Sequence, residues 1–211
     1  MDENLAALIG FLISDGSVYY DKSKRTYCIQ FTNKNEQMLE KFKFLVNLCF
    51  GIQNFSKNKC KNANSVRFFS KKIAEHLFTY SPSFRTLRFN NGEYPKTCIP
   101  QEIFANRNVA IVFLQTYASS DGCIYSDKDH KAVIEIACVH PNIKHQLSEL
   151  LQTLDIQSLV TPKGIRINRM SEIKKFASQI RFLPESTVVQ SSSANVGRTK
   201  NEILDSCCSY S

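Results

Sequence analysis

The sequence predicts an α+β fold in which two tandem αββαββα repeats join about a pseudo-twofold axis. Three observations support this prediction. A nine-residue segment ending in Asp-Gly occurs twice, as LIGFLISDG at residues 8–16 and as LQTYASSDG at residues 114–122, half a chain length apart. The same order of helical and strand patterns follows each copy, and a turn-rich segment separates the two. A duplicated unit of this kind predicts two repeats that pack against each other.

Each nonapeptide closes a predicted helix. Leu5, Leu8, Ile9 and Leu12 recur at the spacing of one helix face, which predicts an amphipathic helix before the first Asp-Gly pair. Residues 108–120 are more uniformly apolar, as is typical of a helix that is buried on most sides. The two helices are therefore the expected centre of the fold.

The residues after each nonapeptide predict the remaining elements of each repeat. In the first repeat these are strands at 17–20 and 27–31, a helix at 36–50, strands at 57–61 and 65–70, and a helix at 71–79. In the second repeat they are strands at 123–125, 132–136 and 164–169, and helices at 142–154 and 171–180.

The expected domain division is a first repeat at 1–81, a linker at 82–107 and a second repeat at 108–211. The linker is rich in proline and contains an Asn-Asn-Gly segment, both of which favour turns. Residues 185–200 are polar and rich in serine, so they are expected to form a loose tail before a short helix at 201–204. The sequence assigns this tail no role.

The composition excludes several classes of protein. With 211 residues and 43% hydrophobic side chains, the chain is long and apolar enough to bury a core and is not disordered. Its apolar runs stop far short of the roughly 20 residues that span a bilayer. The amino terminus has no basic region of the kind found in secretory signals, so we expect an intracellular protein. The eight cysteines are accordingly expected to be free thiols.

The charge indicates a polyanionic partner. The chain has 27 Lys and Arg against 19 Asp and Glu, a formal net charge of +8. Residues 1–105 carry 15 basic and 9 acidic side chains, whereas residues 106–211 carry 12 and 10. A basic protein with pseudo-twofold symmetry fits duplex DNA, which presents two similar sides to such a protein.

The two nonapeptides, with their Asp-Gly endings and the same elements after each, resemble the LAGLIDADG homing endonucleases, in particular the monomeric type with two repeats in one chain. The resemblance implies a site-specific endonuclease that hydrolyses both strands of DNA with a divalent metal. It also implies a monomer, a long pseudo-palindromic or asymmetric target, and a location wherever the host DNA lies. Such enzymes are encoded by mobile introns or other self-propagating elements.

The resemblance assigns metal binding to the acidic residue before the last glycine of each nonapeptide, which is Asp15 in the first repeat and Asp121 in the second. Hydrolysis of a phosphodiester needs an activated water and neutralised charge, which carboxylate-bound Mg²⁺ (or Mn²⁺) supplies. The alternative interpretation is that both residues only form Asp-Gly turns. The family's other acidic position is Ile13 in one copy and Ser119 in the other.

The family also has a polar residue at the end of the second strand, which organises water in the active site. Asn33 matches this position and Lys34 follows it; in the second repeat the match is the apolar Cys138, so the two half-sites are expected to be unequal. An ordinary role at a helix entry is the alternative for Asn33. Lys96 is a further basic candidate for the catalytic site.

In the resemblance, the four strands of each repeat form a saddle that lies in the major groove, and alternate side chains point at DNA. Gln, Asn and Arg suit base edges, whereas Lys suits phosphates. The expected DNA-contacting residues are the alternating strand positions and the basic residues of the turns: Ser17, Tyr19, Lys22, Lys24, Arg25, Gln30, Lys57, Lys59, Lys61, Arg67, Lys128, Lys131, Arg166 and Asn168.

Two other functions remain open at this point. The first is an RNA maturase, a splicing helper on the same scaffold that does not use nuclease activity; the apolar Cys138 favours it. The second is a DNA-binding regulator that keeps the fold without the chemistry. The sequence has neither a cysteine at residue 1 nor a His-Asn ending, so a self-splicing intein is not expected.

Overall fold

The computed structural model describes residues 1–60, 63–126, 132–189 and 195–209. It confirms the α+β class and the two tandem repeats. Within the described residues no helix combines the length and the apolar character that crossing a bilayer requires.

The first repeat comprises α1 (Glu3–Ser14), β1 (Gly16–Asp21), β2 (Thr26–Asn33), α2 (Glu36–Phe50), β3 (Ser56–Cys60), β4 (Ala63–Phe69) and α3 (Lys71–Phe78). A short helix that the sequence did not predict, α4 (Gln101–Phe104), precedes the second repeat. The second repeat comprises α5 (Arg107–Asp121), β5 (Gly122–Ser126), β6 (Ala132–Ala137), α6 (Pro141–Thr153), β7 (Leu159–Thr161), β8 (Gly164–Ile167) and α7 (Met170–Gln179), and α8 (Lys200–Ser209) follows.

The two antiparallel sheets have equivalent strand orders, β1-β2-β4-β3 and β5-β6-β8-β7. Their registers also correspond: Gly16 pairs with Phe31 in the first sheet, and Gly122 pairs with Ile136 in the second. One face of each sheet is buried under helices, as shown by the Phe31 ring packed 4.7 Å from the Phe11 ring of α1. We call the opposite face of each sheet its open face.

The centre of the molecule is the contact between α1 and α5. Gly10 of α1 lies so close to α5 that a β-carbon at this position would be 2.9 Å from the Phe113 carbonyl oxygen and 3.1 Å from the β-carbon of Thr116. Only a residue without a side chain permits this approach, because a carbonyl oxygen of a helix cannot move aside. The close approach brings the carboxyl ends of the two helices together.

The glycine of each Asp-Gly pair allows the chain to leave the helix and enter the first strand at once. A β-carbon on Gly16 would lie 2.5 Å from the α-carbon of Leu12, and one on Gly122 would lie 2.3 Å from the Ala118 carbonyl oxygen. The strand therefore starts against the last turn of its own helix. Each aspartate is thus held at the junction of helix and sheet.

After its last helix, each repeat sends a segment to the other repeat. Residues 81–100, the first trailing segment, contact the amino-terminal part of α6: the Gln146 side chain accepts from the Ile99 amide at 2.8 Å, and Asn142 donates to the Thr97 carbonyl at 3.0 Å. Residues 181–188, the second trailing segment, contact Asn35, the amino-terminal cap of α2, which donates to the Glu185 carbonyl at 2.6 Å. The two repeats therefore bind each other reciprocally.

The prediction of a loose polar tail at 185–200 is wrong for the residues that the structure describes there. Thr187 and Thr199 form an antiparallel bridge, and α8 continues to Ser209 rather than ending after one turn. Ile203 and Leu204 are buried in the core. Polar composition suggested a solvated segment, but backbone hydrogen bonds and these two apolar side chains dock it.

The contact at Gly10 gives a test of the packing. Replacing a helical Gly with Ala usually stabilises a helix by about 1 kcal/mol. Here the added β-carbon meets the Phe113 backbone, so Gly10→Ala is expected to lower the free energy of unfolding by about 1–3 kcal/mol. Urea denaturation measures the change, and Asn4→Ala on the exposed face of α1 serves as the control. A gain in stability for Gly10→Ala contradicts this packing.

Candidate active site and nucleic-acid interface

Asp15 and Asp121, the two predicted metal ligands, line one open cavity of about 580 Å³. They come to this cavity because each lies at the carboxyl end of a central helix, Asp15 as the cap of α1 and Asp121 as the last residue of α5, and those helices meet at Gly10. The cavity is also lined by Ser17 and Tyr19 of β1, so it opens on the open face of the sheets. The structure therefore brings one carboxylate from each repeat to the same place.

The environment of the two carboxyls disfavours their charge. Burial raises the pKa of Asp121 well above its usual value, and the nearby Asp15 carboxylate raises it further. Burial also raises the pKa of Asp15, although the Asn33 hydrogen bond opposes this effect. Burial of both carboxyls and the effect of Asp15 on Asp121 therefore disfavour the state in which both are charged.

Asn33 lies at the position that the sequence predicted for it. Its amide nitrogen donates to the Asp15 carboxylate at 2.9 Å, and its side-chain oxygen accepts from the Asn35 amide at 2.9 Å. Asn33 thus orients the carboxylate and, through Asn35, supports the start of α2. The contact with Asn35 confirms the helix-entry interpretation, and the catalytic role of Asn33 stays a prediction.

The equivalent position in the second repeat is Cys138, because it lies two residues beyond the partner of Gly122 just as Asn33 lies two beyond the partner of Gly16. The Cys138 thiol donates to the His140 carbonyl at 3.7 Å and is hydrogen-bonded to the buried Tyr117 hydroxyl. Where Asp15 has an amide partner, Asp121 therefore faces a thiol and a phenol.

Lys200 is a functional candidate that the sequence reasoning missed. It is buried, and its ammonium donates to the Ser119 carbonyl oxygen at 2.6 Å in the last turn of α5. Its positive charge acts on both Asp15 and Asp121, and burial lowers its own pKa to about 8. A lysine in a polar, serine-rich stretch gives no sequence signal for burial, because its partner is far away along the chain.

Two predicted catalytic lysines lie away from the cavity. Lys34 follows Asn33 but is exposed, and Lys96 is exposed within the first trailing segment. Neither side chain lines the cavity that contains the carboxylates. Their participation in catalysis stays a prediction.

The open face of the first sheet carries the side chains that the strand alternation predicted. Ser17 pairs with Gln30, and Gln30 pairs with Arg67, so these three lie in one row across the sheet. The Arg67 guanidinium lies over the Phe69 ring at 5.7 Å. Cys28, which the same alternation selects, is buried and hydrogen-bonded to Tyr19.

The second sheet has a different row at the equivalent positions. Arg166 takes the place of Arg67, as predicted, but its neighbour in β6 is Glu135 rather than a glutamine. Tyr125 donates a hydrogen bond to the Glu135 carboxylate at 2.9 Å. Asn168 is exposed just after β8. The open faces of the two sheets are therefore chemically unequal.

The expectation that Lys57 and Lys59 share a face with Arg67 is wrong. Lys57 pairs with Val66, and Lys59 pairs with Asn64, so both lie on the face opposite to Arg67. Lys57 forms an ion pair with Glu36 of α2 at 2.8 Å. Side chains do alternate along β3, but the register pairs Ser56 rather than Lys57 with Arg67, so Ser56 shares the face of Arg67.

The remaining basic candidates are in turns. Lys22, Lys24 and Arg25 are exposed between β1 and β2, where Asp21 accepts hydrogen bonds from the turn backbone. The predicted contacts Lys61, Lys128 and Lys131 lie outside the described residues.

Comparison with known proteins identifies a family. The profile of the LAGLIDADG-like domain matches residues 2–85 and 108–181, one stretch in each repeat. A curated relative, the A subunit of the A-type ATP synthase of Pyrococcus abyssi, is 28% identical over 165 residues. The match covers 78% of this chain and 15% of that protein, so the chain spans only a small part of its relative.

Several solved structures share the fold. A mesophilic variant of the homing endonuclease I-DmoI has a TM-score of 0.62 at 17% identity, with 87% of this chain and 95% of that chain covered. I-DmoI in complex with DNA and Mn has a TM-score of 0.59 at 17% identity, with 84% and 96% covered. The N-terminal LAGLIDADG domain of WhiA has a TM-score of 0.55 at 13% identity, with 87% and 84% covered.

The buried Lys200 predicts a pH dependence of stability. Folding lowers the pKa of this lysine from 10.5 to about 8, so the unfolded chain binds more protons between these values and stability rises with pH there. Lys200→Met removes the titrating group. The free energy of unfolding of the wild type minus that of the variant is therefore expected to increase from pH 8 to pH 10, by up to about 1.4 kcal/mol per pH unit.

Urea denaturation at intervals from pH 7 to pH 10 measures this difference. The control is Lys72→Met, because Lys72 is exposed on α3. Its difference from the wild type is expected to stay constant with pH. Parallel stability curves for the wild type and Lys200→Met would show that the ammonium is not buried as described.

Proposed function

The chain belongs to the family of LAGLIDADG-like domains, and on that basis we propose that it is a metal-dependent, site-specific endonuclease that cuts both strands of duplex DNA. The observation that carries the proposal is the pair Asp15 and Asp121, one from each repeat, in a single cavity on the open face of the sheets. A pseudo-twofold site of this kind matches the two strands of a duplex, because each carboxylate serves one strand.

The donor set fits a hard divalent cation. Asp15 and Asp121 offer carboxylate oxygens, which Mg²⁺ and Mn²⁺ prefer as ligands, and the cavity has room for water and phosphate oxygens beside them. Burial raises the pKa of both carboxyls, and Asp15 raises that of Asp121 further, so a bound dication would stabilise the charged forms that this environment disfavours. Such a cation supplies an activated water and neutralises charge on the scissile phosphate. The structure of I-DmoI with DNA and Mn supports the same choice of ion.

The protein's own groups hold this site in place. The Asn33 amide fixes the orientation of the Asp15 carboxylate. The Lys200 ammonium offsets part of the negative charge of Asp15 and Asp121. Because Lys200 bonds to the Ser119 carbonyl, it also opposes the negative end of the α5 dipole. These contacts keep two like charges at a fixed separation before DNA arrives.

The open faces of the sheets are the proposed reading surfaces. Gln30 and Arg67 are neighbours in one row, and both side chains are suited to base edges in the major groove. The Arg67 Nε is buried and has no hydrogen-bond partner among the described residues. In the second sheet, Glu135 at the equivalent position is suited to accept from cytosine. The unequal rows favour an asymmetric target.

The rival functions on the same scaffold are an RNA maturase and a DNA-binding protein without nuclease activity. The observation that favours them is Cys138, which gives Asp121 a thiol and a phenol as neighbours where Asp15 has an amide. Cleavage separates the proposed endonuclease from both rivals, and competition between RNA and DNA separates the rivals from each other.

The endonuclease proposal predicts recurrent cleavage. Digestion of a pooled genomic library in Mg²⁺ is expected to create new ends at one recurrent sequence, which sequencing of the ends would map. Asp15→Asn and Asp121→Asn are expected to reduce this cleavage by at least about 100-fold, because each removes a charged ligand while keeping its shape. Glu102→Gln, the same change at an exposed position of α4, is expected to cut like the wild type.

Salt-sensitive binding without recurrent ends would overturn the endonuclease proposal in favour of a maturase or regulator. Ends that persist in both aspartate variants would show that other residues bind the metal. Thermal unfolding of each variant confirms that it is folded. Both are expected to be at least as stable as the wild type, because a carboxylate charge that burial disfavours is removed.

The inequality of the half-sites predicts unequal strand cleavage. With the two strands labelled separately, single-turnover rates are expected to differ by about 10-fold or more, so that nicked duplex accumulates. Cys138→Asn restores an amide beside Asp121 and is expected to bring the rates closer. The reciprocal change Asn33→Cys is expected to slow the other strand instead. Equal rates in the wild type would contradict the inferred difference.

A further inference from the structure

The first trailing segment contains a compact loop at residues 85–94. Its tip is closed by the Phe89 amide, which donates to the Glu93 carbonyl at 2.8 Å, and its base is closed by the Thr97 hydroxyl, which donates to the Arg85 carbonyl. The Arg85 guanidinium donates to the carbonyl oxygens of Leu87 and Arg88, both at 2.9 Å. The loop is therefore ordered by its own hydrogen bonds.

This loop exposes two large apolar side chains among positive charges. Leu87 is 62% exposed and Phe89 is 46% exposed. The Arg85 guanidinium lies over the Phe89 ring at 5.3 Å, and that of Arg88 lies over the Tyr94 ring at 4.7 Å. Neither arginine forms an ion pair among the described residues, so the loop presents apolar groups and uncompensated positive charge together.

The loop lies beside the proposed catalytic centre. Arg85, Thr86 and Leu87 line the same cavity as Asp15 and Asp121. The cavity is between the two sheets on their open face. If the sheets occupy successive turns of the major groove, about one helical turn apart, the groove that faces the cavity midway between them is the minor groove.

We propose that the loop at residues 85–94 enters the minor groove of bound DNA opposite the two carboxylates, where Leu87 and Phe89 wedge between stacked base pairs beside the charges of Arg85 and Arg88. This inference rests on the proposed function. Phe and Leu are among the residues that unstack base steps when they enter the minor groove, and nearby arginines bind the narrowed groove and its phosphates.

Base unstacking at the centre of the target tests the proposal. The duplex is the one recovered by end mapping, with 2-aminopurine at each central step in turn, and binding is measured in EDTA so that the duplex stays intact. The wild type is expected to raise the 2-aminopurine fluorescence at one step. The double variant Leu87→Ser/Phe89→Ser is expected to lose this rise and to bind about 10-fold more weakly.

The matched control is Phe44→Ser/Leu48→Ser on α2. Phe44 and Leu48 are each 53% exposed, and Lys41 lies over the Phe44 ring as Arg85 lies over Phe89. This control is expected to keep both the fluorescence rise and the affinity of the wild type.

Four outcomes would count against the proposal, and they are distinguishable. No rise with the wild type at any central step, or a rise that persists in the Leu87/Phe89 variant, overturns the wedge alone, because the wild type has already cut the site that end mapping recovered. A loss in the α2 control as well as in the loop variant overturns the assignment to this loop. A wild type that creates no recurrent ends overturns the proposed function together with this inference.

Discussion

The contact between α1 and α5 at Gly10 determines where the chemistry of this protein is placed. Because the two helices touch through backbone atoms, their carboxyl ends and the two aspartates that follow are held within one cavity. Helix carboxyl ends carry partial negative charge, so the fold concentrates like charges at its centre. The buried ammonium of Lys200 and the amide of Asn33 reduce this repulsion without removing it. The pKa values of both aspartates therefore stay above their usual range.

The symmetric backbone of the two repeats does not impose symmetric chemistry. The registers of the two sheets correspond residue by residue around the Asp-Gly pairs, yet Asn33 corresponds to Cys138 and Gln30 corresponds to Glu135. Helix packing and strand pairing restrict which side chains are allowed at the buried positions of the helices and sheets. Side chains that point at the cavity or at the open face are free of that restriction, so each half can be adapted to its own half of a ligand.

The sequence was sufficient to predict the order of helices and strands because the duplication supplied a second copy of every weak pattern. Element order followed from the duplication, whereas the position of Asn33 followed from the family resemblance. Lys57 was placed on the wrong face because alternation defines faces within a strand, whereas the register between strands depends on a turn that the pattern does not describe. Lys200 was missed because its partner, Ser119, is distant in sequence, and a lysine is buried only when the tertiary structure satisfies it.

The reciprocal trailing segments have a consequence for how this architecture is connected. Each repeat ends by docking onto the second helix of the other, at Asn35 in one direction and at Gln146 in the other. Exchange of identical elements between two protomers is the definition of a domain-swapped dimer. The two halves of this chain exchange corresponding, though not identical, segments in the same reciprocal way. The exchanged segments hold the halves together noncovalently, so the peptide bond between the halves serves mainly to guarantee that two different halves are made in equal number and meet each other.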